Sequence, residues 1–184
     1  LKDRTLQNVD LTFLDPPFNQ QKDYKLHDDN MDEKEYWDMM SNVCNSVFDL
    51  TNEGGSIYFM QREKNADFVL SCLRNSGWTF QHLIIWKKKT SAVPVKGKYG
   101  KHNQIIAYAT KGKKAKTFNR LRIEPPLPPN YKFLREKGVF VTDVWDDIRE
   151  LTSGYFAGNE AIRDKSGERF HKQQTPIALL IRII

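Results

Sequence analysis

Acidic residues are absent from a long middle stretch of the chain: between Phe68 and Ile123 there is no aspartate and no glutamate. Those 56 residues carry 13 lysines and arginines, so the net charge of +6 conceals a segregation. The remaining residues hold 16 basic and 23 acidic side chains. An acid-free basic run of this length argues for one face that meets a polyanion, nucleic acid first among them. A lysine-rich solvated surface is the plainer alternative. Long apolar runs are missing too. No 18 consecutive apolar residues occur, which excludes an apolar spanning helix. The opening LKDRTLQNVD lacks the apolar stretch of a secretory signal. Cysteine is scarce, with only Cys44 and Cys72, and neither has a C-x-x-C partner or a histidine at metal-ligating spacing. We therefore expect two ordinary buried thiols, no disulfide framework, no metal and a cytoplasmic protein. The length of 184 residues suffices for one domain with a real core.

Periodicity supplies the elements. Residues 9–15, VDLTFLD, form an apolar run stopped by Pro16-Pro17 and read as a buried strand. The polar stretch 19–31 reads as a loop. Asp32 is placed to cap a helix reaching Leu50, with Tyr36, Met39, Met40, Val43, Val47 and Leu50 at helical spacing. Glu53-Gly54-Gly55 suggests a turn before a strand over 56–60, followed by a helix over 65–75 and a strand over 80–86. The basic segment 87–103 reads as a loop and 104–110 as a strand. Lys111-Gly112-Lys113-Lys114 reads as a hairpin turn into 117–119. Four prolines in 124–137 predict an irregular connection, 139–145 a short strand, and 174–184 an apolar helix with Pro176 in its first turn. Strand and helix alternate, which argues for a mainly parallel α/β sheet with functional loops at the carboxyl ends of its strands.

Asp15-Pro16-Pro17-Phe18 stands at such an end. A carboxylate beside a rigid carbonyl suits one difficult nucleophile, the exocyclic amine of a nucleobase, whose lone pair is delocalised into the ring. Two acceptors, the Asp15 carboxylate and the Pro16 carbonyl, would draw that nitrogen toward tetrahedral geometry. Pro17 stiffens the turn, and the Phe18 ring offers a face to a base flipped from its stack. A tight turn after a strand, with an aromatic behind it, is the bland alternative.

The segment VDLTFLDPPFNQQKDY resembles the catalytic motif of DNA methyltransferases that act on base amines, Asp/Asn/Ser-Pro-Pro-aromatic. Downstream, His171-Lys172-Gln173-Gln174-Thr175-Pro176 resembles the H-x-x-Q-K-P segment of the same family, with Thr175 where lysine is common. Gly54-Gly55-Ser56-Ile57-Tyr58-Phe59 and Trp86-Lys87-Lys88 fit as well. The motif order is that of the beta-type permutation, and the resemblance runs from about Val9 to Ile184. It implies a Rossmann-like methyltransferase fold with a basic recognition insertion, and S-adenosylmethionine (SAM) as cofactor. Asp15, His171, Gln174, Thr175 and Pro176 would then lie around that cofactor. It also implies double-stranded DNA with a flipped target base as partner, contacted by Lys87, Lys88, Lys89, Lys96, Lys98 and Lys101. Residues 1–86 would form the catalytic core, 87–170 the recognition region with core strands, and 171–184 a helix returning to the core. The glycine-rich F-x-G-x-G loop that follows the H-x-x-Q helix in this order is not among the 184 residues. We therefore expect a fold incomplete at both ends that by itself binds SAM weakly and is inactive.

Asp15 in the first motif position favours adenine N6 over cytosine N4, and a restriction–modification setting is expected, with room for a homodimer or a companion restriction subunit. A non-catalytic nucleic-acid-binding protein reusing the fold is the rival class. His102 reads as structural before functional. Trp145, in Asp143-Val144-Trp145, reads equally as packing or as part of the recognition region. Asp28, Asp29 and Asp32 lack the spacing of a calcium loop and read as a helix-capping cluster.

Overall fold

The structure is a computed structural model. It describes residues 8–19, 30–90, 93–94, 96–124, 137–151, 159–169 and 174–184. The chain runs β1 (Val9–Leu14), α1 (Glu33–Leu50), β2 (Thr51–Gln61), a 3-10 turn (Glu63–Asn65), α2 (Ala66–Asn75), β3 (Thr79–Lys87) and β4 (Asn103–Thr110). Three two-residue strands follow, β5 (Arg122–Ile123), β6 (Val139–Phe140) and β7 (Val144–Trp145), and then α3 (Ile177–Ile183). The main sheet has the order β1-β2-β4-β3-β7, while β5 and β6 pair by themselves. β1 lies parallel to β2 and β7 parallel to β3, whereas β4 is antiparallel to both of its neighbours. Four of the five strands therefore point the same way and β4 alone is reversed, so the sheet is mainly parallel in direction.

Alternation along the strands sorts two cores. Ile57 and Phe59 of β2, with Ala107 and Ala109 of β4, face α1 and α2 and meet Tyr36, Trp37, Met40, Cys44, Val69, Cys72 and Leu73. Their neighbours Tyr58, Met60, Ile106 and Tyr108, with Ile84 and Trp86 of β3, face the other way. They pack with Phe18, Trp145, Ile148, and Leu179 and Ile183 of α3. A period of two serves both faces because helices cover both. α1 begins as expected: the Asp32 carboxylate accepts from the N–H groups of Lys34 and Glu35, at 2.9 and 3.3 Å. Asp28 and Asp29 lie outside the described residues.

Four expectations about elements need correction. Glu53-Gly54-Gly55 is no turn between elements. β2 begins at Thr51, directly after α1, and the glycines form a bulge where the register against β1 shifts. The reason is close approach. Gly54 has φ +78°, and a Cβ there would fall 2.8 Å from the Cβ of Lys116 and 3.0 Å from its N. The expected hairpin into 117–119 is likewise absent. Residues 111–116 fold back on that bulge instead, through Gly54 N–Lys111 O, Lys111 N–Gly55 O and Lys116 N–Gly54 O bonds of 2.8–2.9 Å. The single strand expected over 139–145 is two short pieces serving different sheets. Pro176 caps α3 from outside rather than opening its first turn, with extended backbone at φ −62° and ψ 138°.

Candidate active site

Asp15-Pro16-Pro17-Phe18 follows β1 at its carboxyl end, where an α/β sheet presents its functional loops. Proline here ends the ladder, since it has no N–H to donate. The turn is held from beneath by a buried polar relay. The Tyr36 hydroxyl of α1 donates to the Pro17 carbonyl at 2.7 Å. The Gln61 side-chain amide, fully buried at the end of β2, donates to that same hydroxyl oxygen at 2.9 Å. The other end of the Gln61 amide accepts from Arg62 N at 2.9 Å. Each group in this relay has a partner, which is what burial demands. Past the turn, the Asn19 side chain bonds both backbone groups of Met31, donating to its carbonyl at 2.8 Å and accepting from its N–H at 2.9 Å.

The two motifs that stand 160 positions apart in sequence meet here: the Thr175 hydroxyl donates to Oδ2 of Asp15. The Asp15 side chain is exposed, Thr175 half-buried and Pro176 buried. Gln174 is not turned to this pair. Its amide is spent on the neighbouring loop, accepting from Ile162 N and donating to the Glu160 carbonyl, both at 2.9 Å. His171 lies outside the described residues. Phe18 is only 9% exposed and its ring belongs to the second core, so it could face a base only if that corner of the core repacked.

The lysines leave the sheet at this same end, because β3 and β1 run in one direction. Three interstrand spacings separate the two strands, about 14 Å. Lys87, Lys96 and Lys98 are exposed. Lys88 lies over the Trp86 ring at 5.4 Å. Lys89 Nζ donates to the Asp146 carbonyl, and Lys101 is ion-paired with Glu63 at 3.2 Å. The six lysines thus divide into some whose heads are engaged by the protein and some that project from the loop. His102 closes the loop through its carbonyl, which accepts from Lys88 N at 2.8 Å. Trp145 is buried against the second core, and its indole N–H donates to the Thr142 carbonyl at 2.9 Å.

Sequence reasoning read Tyr36 as core and passed over Gln61. Both carried a signal. A tyrosine on a helix's buried face needs a partner for its hydroxyl, and a glutamine ending the apolar run SIYFM needs two.

The site is an acidic Pro-Pro turn at the mouth of an α/β sheet, joined to a distant Thr-Pro segment. The family model for the N6/N4 DNA methylases matches residues 9–184, and the chain belongs to that family. Among curated relatives, type II methyltransferase M.HpaI of Haemophilus parainfluenzae is 26% identical over 147 residues, spanning 79% of this chain and 46% of that protein. Type II methyltransferase M.BamHI of Bacillus amyloliquefaciens is 30% identical over 157 residues, 77% of this chain and 36% of that one. DNA adenine methyltransferase YhdJ of Escherichia coli K12 is 28% identical over 204 residues, covering 100% of this chain and 62% of YhdJ. The chain thus spans between 36% and 62% of the lengths of these three relatives. Among solved structures, the M1.HpyAVI–SAM complex is similar at a TM-score of 0.44 and 18% identity, covering 71% of this chain and 55% of that one. TTHA0409 of Thermus thermophilus is similar at 0.49 and 21%, covering 77% and 59%. Among the described residues no helix is long and apolar enough to cross a membrane.

Proposed function

We propose that this chain supplies the methyl-acceptor site of a DNA methyltransferase that modifies an exocyclic base amine, adenine N6 before cytosine N4. The observation that carries the reading is the meeting of Asp15 with Thr175, which joins two motifs of the family at the mouth of the sheet. The residues there suit SAM on chemical grounds. An exposed carboxylate with a hydroxyl beside it would suit a cofactor that carries positive charge on its sulfonium and amino groups. When bound, SAM supplies an electrophilic methyl group. Asp15 and Thr175 are the described residues that would lie toward it, while Gln174 braces the 160–162 loop instead.

On this reading Asp15 accepts one amine N–H and the Pro16 carbonyl the other. Their pull directs the nitrogen lone pair outward, and the amine proton released on methylation leaves past the Asp15 carboxylate. Tyr36 and Gln61 keep the turn from yielding. Alignment does most of the work, since the displacement needs little acid–base help. Phe18 would stack on the base after a local repacking. The division into a catalytic core over 1–86, a recognition region over 87–170 and a returning helix over 171–184 belongs to this proposal. So do duplex DNA with a flipped base, the phosphate contacts of the lysine loop, and a restriction–modification setting with a second copy or a companion subunit. The adenine preference is supported by Asp15 and by YhdJ, named a DNA adenine methyltransferase. Transfer of labelled methyl to duplexes carrying only adenine or only cytosine targets separates the two bases. Label confined to cytosine would refute the adenine assignment.

A further inference from the structure

The start of the basic loop is gripped by a carboxylate. Glu150 is buried, 7% exposed, in a stretch of the chain that follows β7. Its side chain accepts from Lys89 N at 2.8 Å, from Thr90 N at 2.9 Å and from the Thr90 hydroxyl. Around it the same stretch is laced to β3. Ile85 N donates to the Asp143 carbonyl at 2.7 Å, the Trp86 indole to the Ile148 carbonyl at 2.9 Å, and Lys89 Nζ to the Asp146 carbonyl. Burial alone would push the Glu150 carboxyl up. The Thr90 hydroxyl and the surrounding N–H groups outweigh it and hold the pKa below the ordinary carboxylate value. A buried carboxylate is costly unless its lone pairs are filled, and here backbone donors fill them.

We propose that Glu150 is the positioning residue at the start of the basic loop: by gripping the backbone of Lys89 and Thr90 it fixes where the chain leaves β3 at the carboxyl end of the sheet, and so lowers the cost of bringing the lysines that follow to DNA phosphates. The proposal rests on the reading that this loop contacts DNA. Without Glu150 the backbone of Lys89 and Thr90 would be fixed only on binding, at the expense of affinity, while the phosphates neutralised in the complex would stay the same.

The test pairs two measurements on Glu150→Ala and Glu150→Gln. In hydrogen exchange on the free protein, the Lys89 and Thr90 amides exchange about tenfold faster in Glu150→Ala, with β2 and β4 unchanged. Glu150→Gln, which keeps one acceptor, falls between. In fluorescence anisotropy with a nonspecific duplex, Glu150→Ala weakens binding about fivefold with the salt slope unchanged, and Glu150→Gln restores part of the loss. Unaltered exchange at Lys89 and Thr90 overturns the proposal, as does faster exchange spread through β2 and β4. Tighter DNA binding by Glu150→Ala overturns it too, since the carboxylate would then be competing with phosphate for the same N–H groups. The companion variant Lys96→Gln/Lys98→Gln separates the two ideas: it lowers the salt slope by about 2 if the loop contacts phosphates. No change there refutes the DNA reading, while the exchange result still judges the grip of Glu150 on its own.

Discussion

Thr175 donates its hydroxyl proton to the carboxylate of Asp15, closing a loop of 160 positions at the mouth of the sheet. On the proposed reading, that hydrogen bond orients the carboxylate that accepts the amine. If that orientation matters, Thr175→Val lowers the methyl-transfer rate about tenfold, the equivalent of one charge-assisted hydrogen bond. Thr175→Ser restores most of it, and the KM for DNA stays the same in both. Steady-state kinetics with duplex DNA checks this, and an unaltered rate in Thr175→Val removes Thr175 from the account.

The Tyr36–Gln61 relay predicts a stability effect separate from activity. Tyr36→Phe strips the Pro17 carbonyl of its donor and leaves one N–H of the buried Gln61 amide unpaired. The expected loss is about 1–3 kcal/mol in urea unfolding. Gln61→Leu removes that stranded amide but also the acceptor of Arg62 N, so it should cost less in the Tyr36→Phe background than in the native protein. Equal costs in the two backgrounds would mean the two residues do not act as a pair.

Much of this architecture was legible beforehand. The Asp32 cap, the apolar face of α1 and the strand leading to Asp15 are local signals, and each stands where expected, except that β1, read as a buried strand, has no buried residue because it lies at the edge of the described sheet. What escaped depends on contacts distant in sequence. The glycines at 54 and 55 look like a turn until Lys116 is seen lying against Gly54, and Thr51 and Asp10 against Gly55. The reversal of β4 has no local signature, because an apolar strand buried on both faces reads alike in either direction. Phe18 reads as an exposed aromatic, yet Trp86, Trp145 and α3 gather around the same cluster and bury it. Glu150 lies in a polar stretch with no motif, and only its 60-residue reach back to Thr90 marks it.

α3 is fastened by a two-pronged ion pair. Arg182 donates through Nη1 to Asp147 Oδ1 at 2.7 Å and through Nη2 to Oδ2 at 2.5 Å. The Arg182 hydrogen bond, first among the causes, holds the Asp147 carboxyl below its ordinary value of 3.8. A depressed native pKa stabilises above the unfolded value and is lost as pH falls through the native one. Melting temperature should therefore drop on the acid side of pH 3.8. In Arg182→Met that share of the acid loss should vanish. Identical acid limbs in the two proteins would contradict the coupling.

Burial pushes the Cys44 thiol up to about 12 and raises Cys72 as well. Thiolate is the reactive form, so native protein at about pH 8 should resist iodoacetamide at both positions and react once unfolded in urea. Mass spectrometry of the alkylated protein reads this directly. Rapid modification of native Cys44 would show that the α1 side of the core opens far more readily than its packing implies.

The central claim is that Asp15 holds the accepting amine. Transfer of labelled methyl from SAM to duplex DNA, measured in the protein that carries this chain, tests it most directly. Asp15→Ala should lower transfer by at least about a thousandfold while leaving the salt-dependent affinity for DNA intact. Transfer at the unmodified rate in Asp15→Ala would contradict the account.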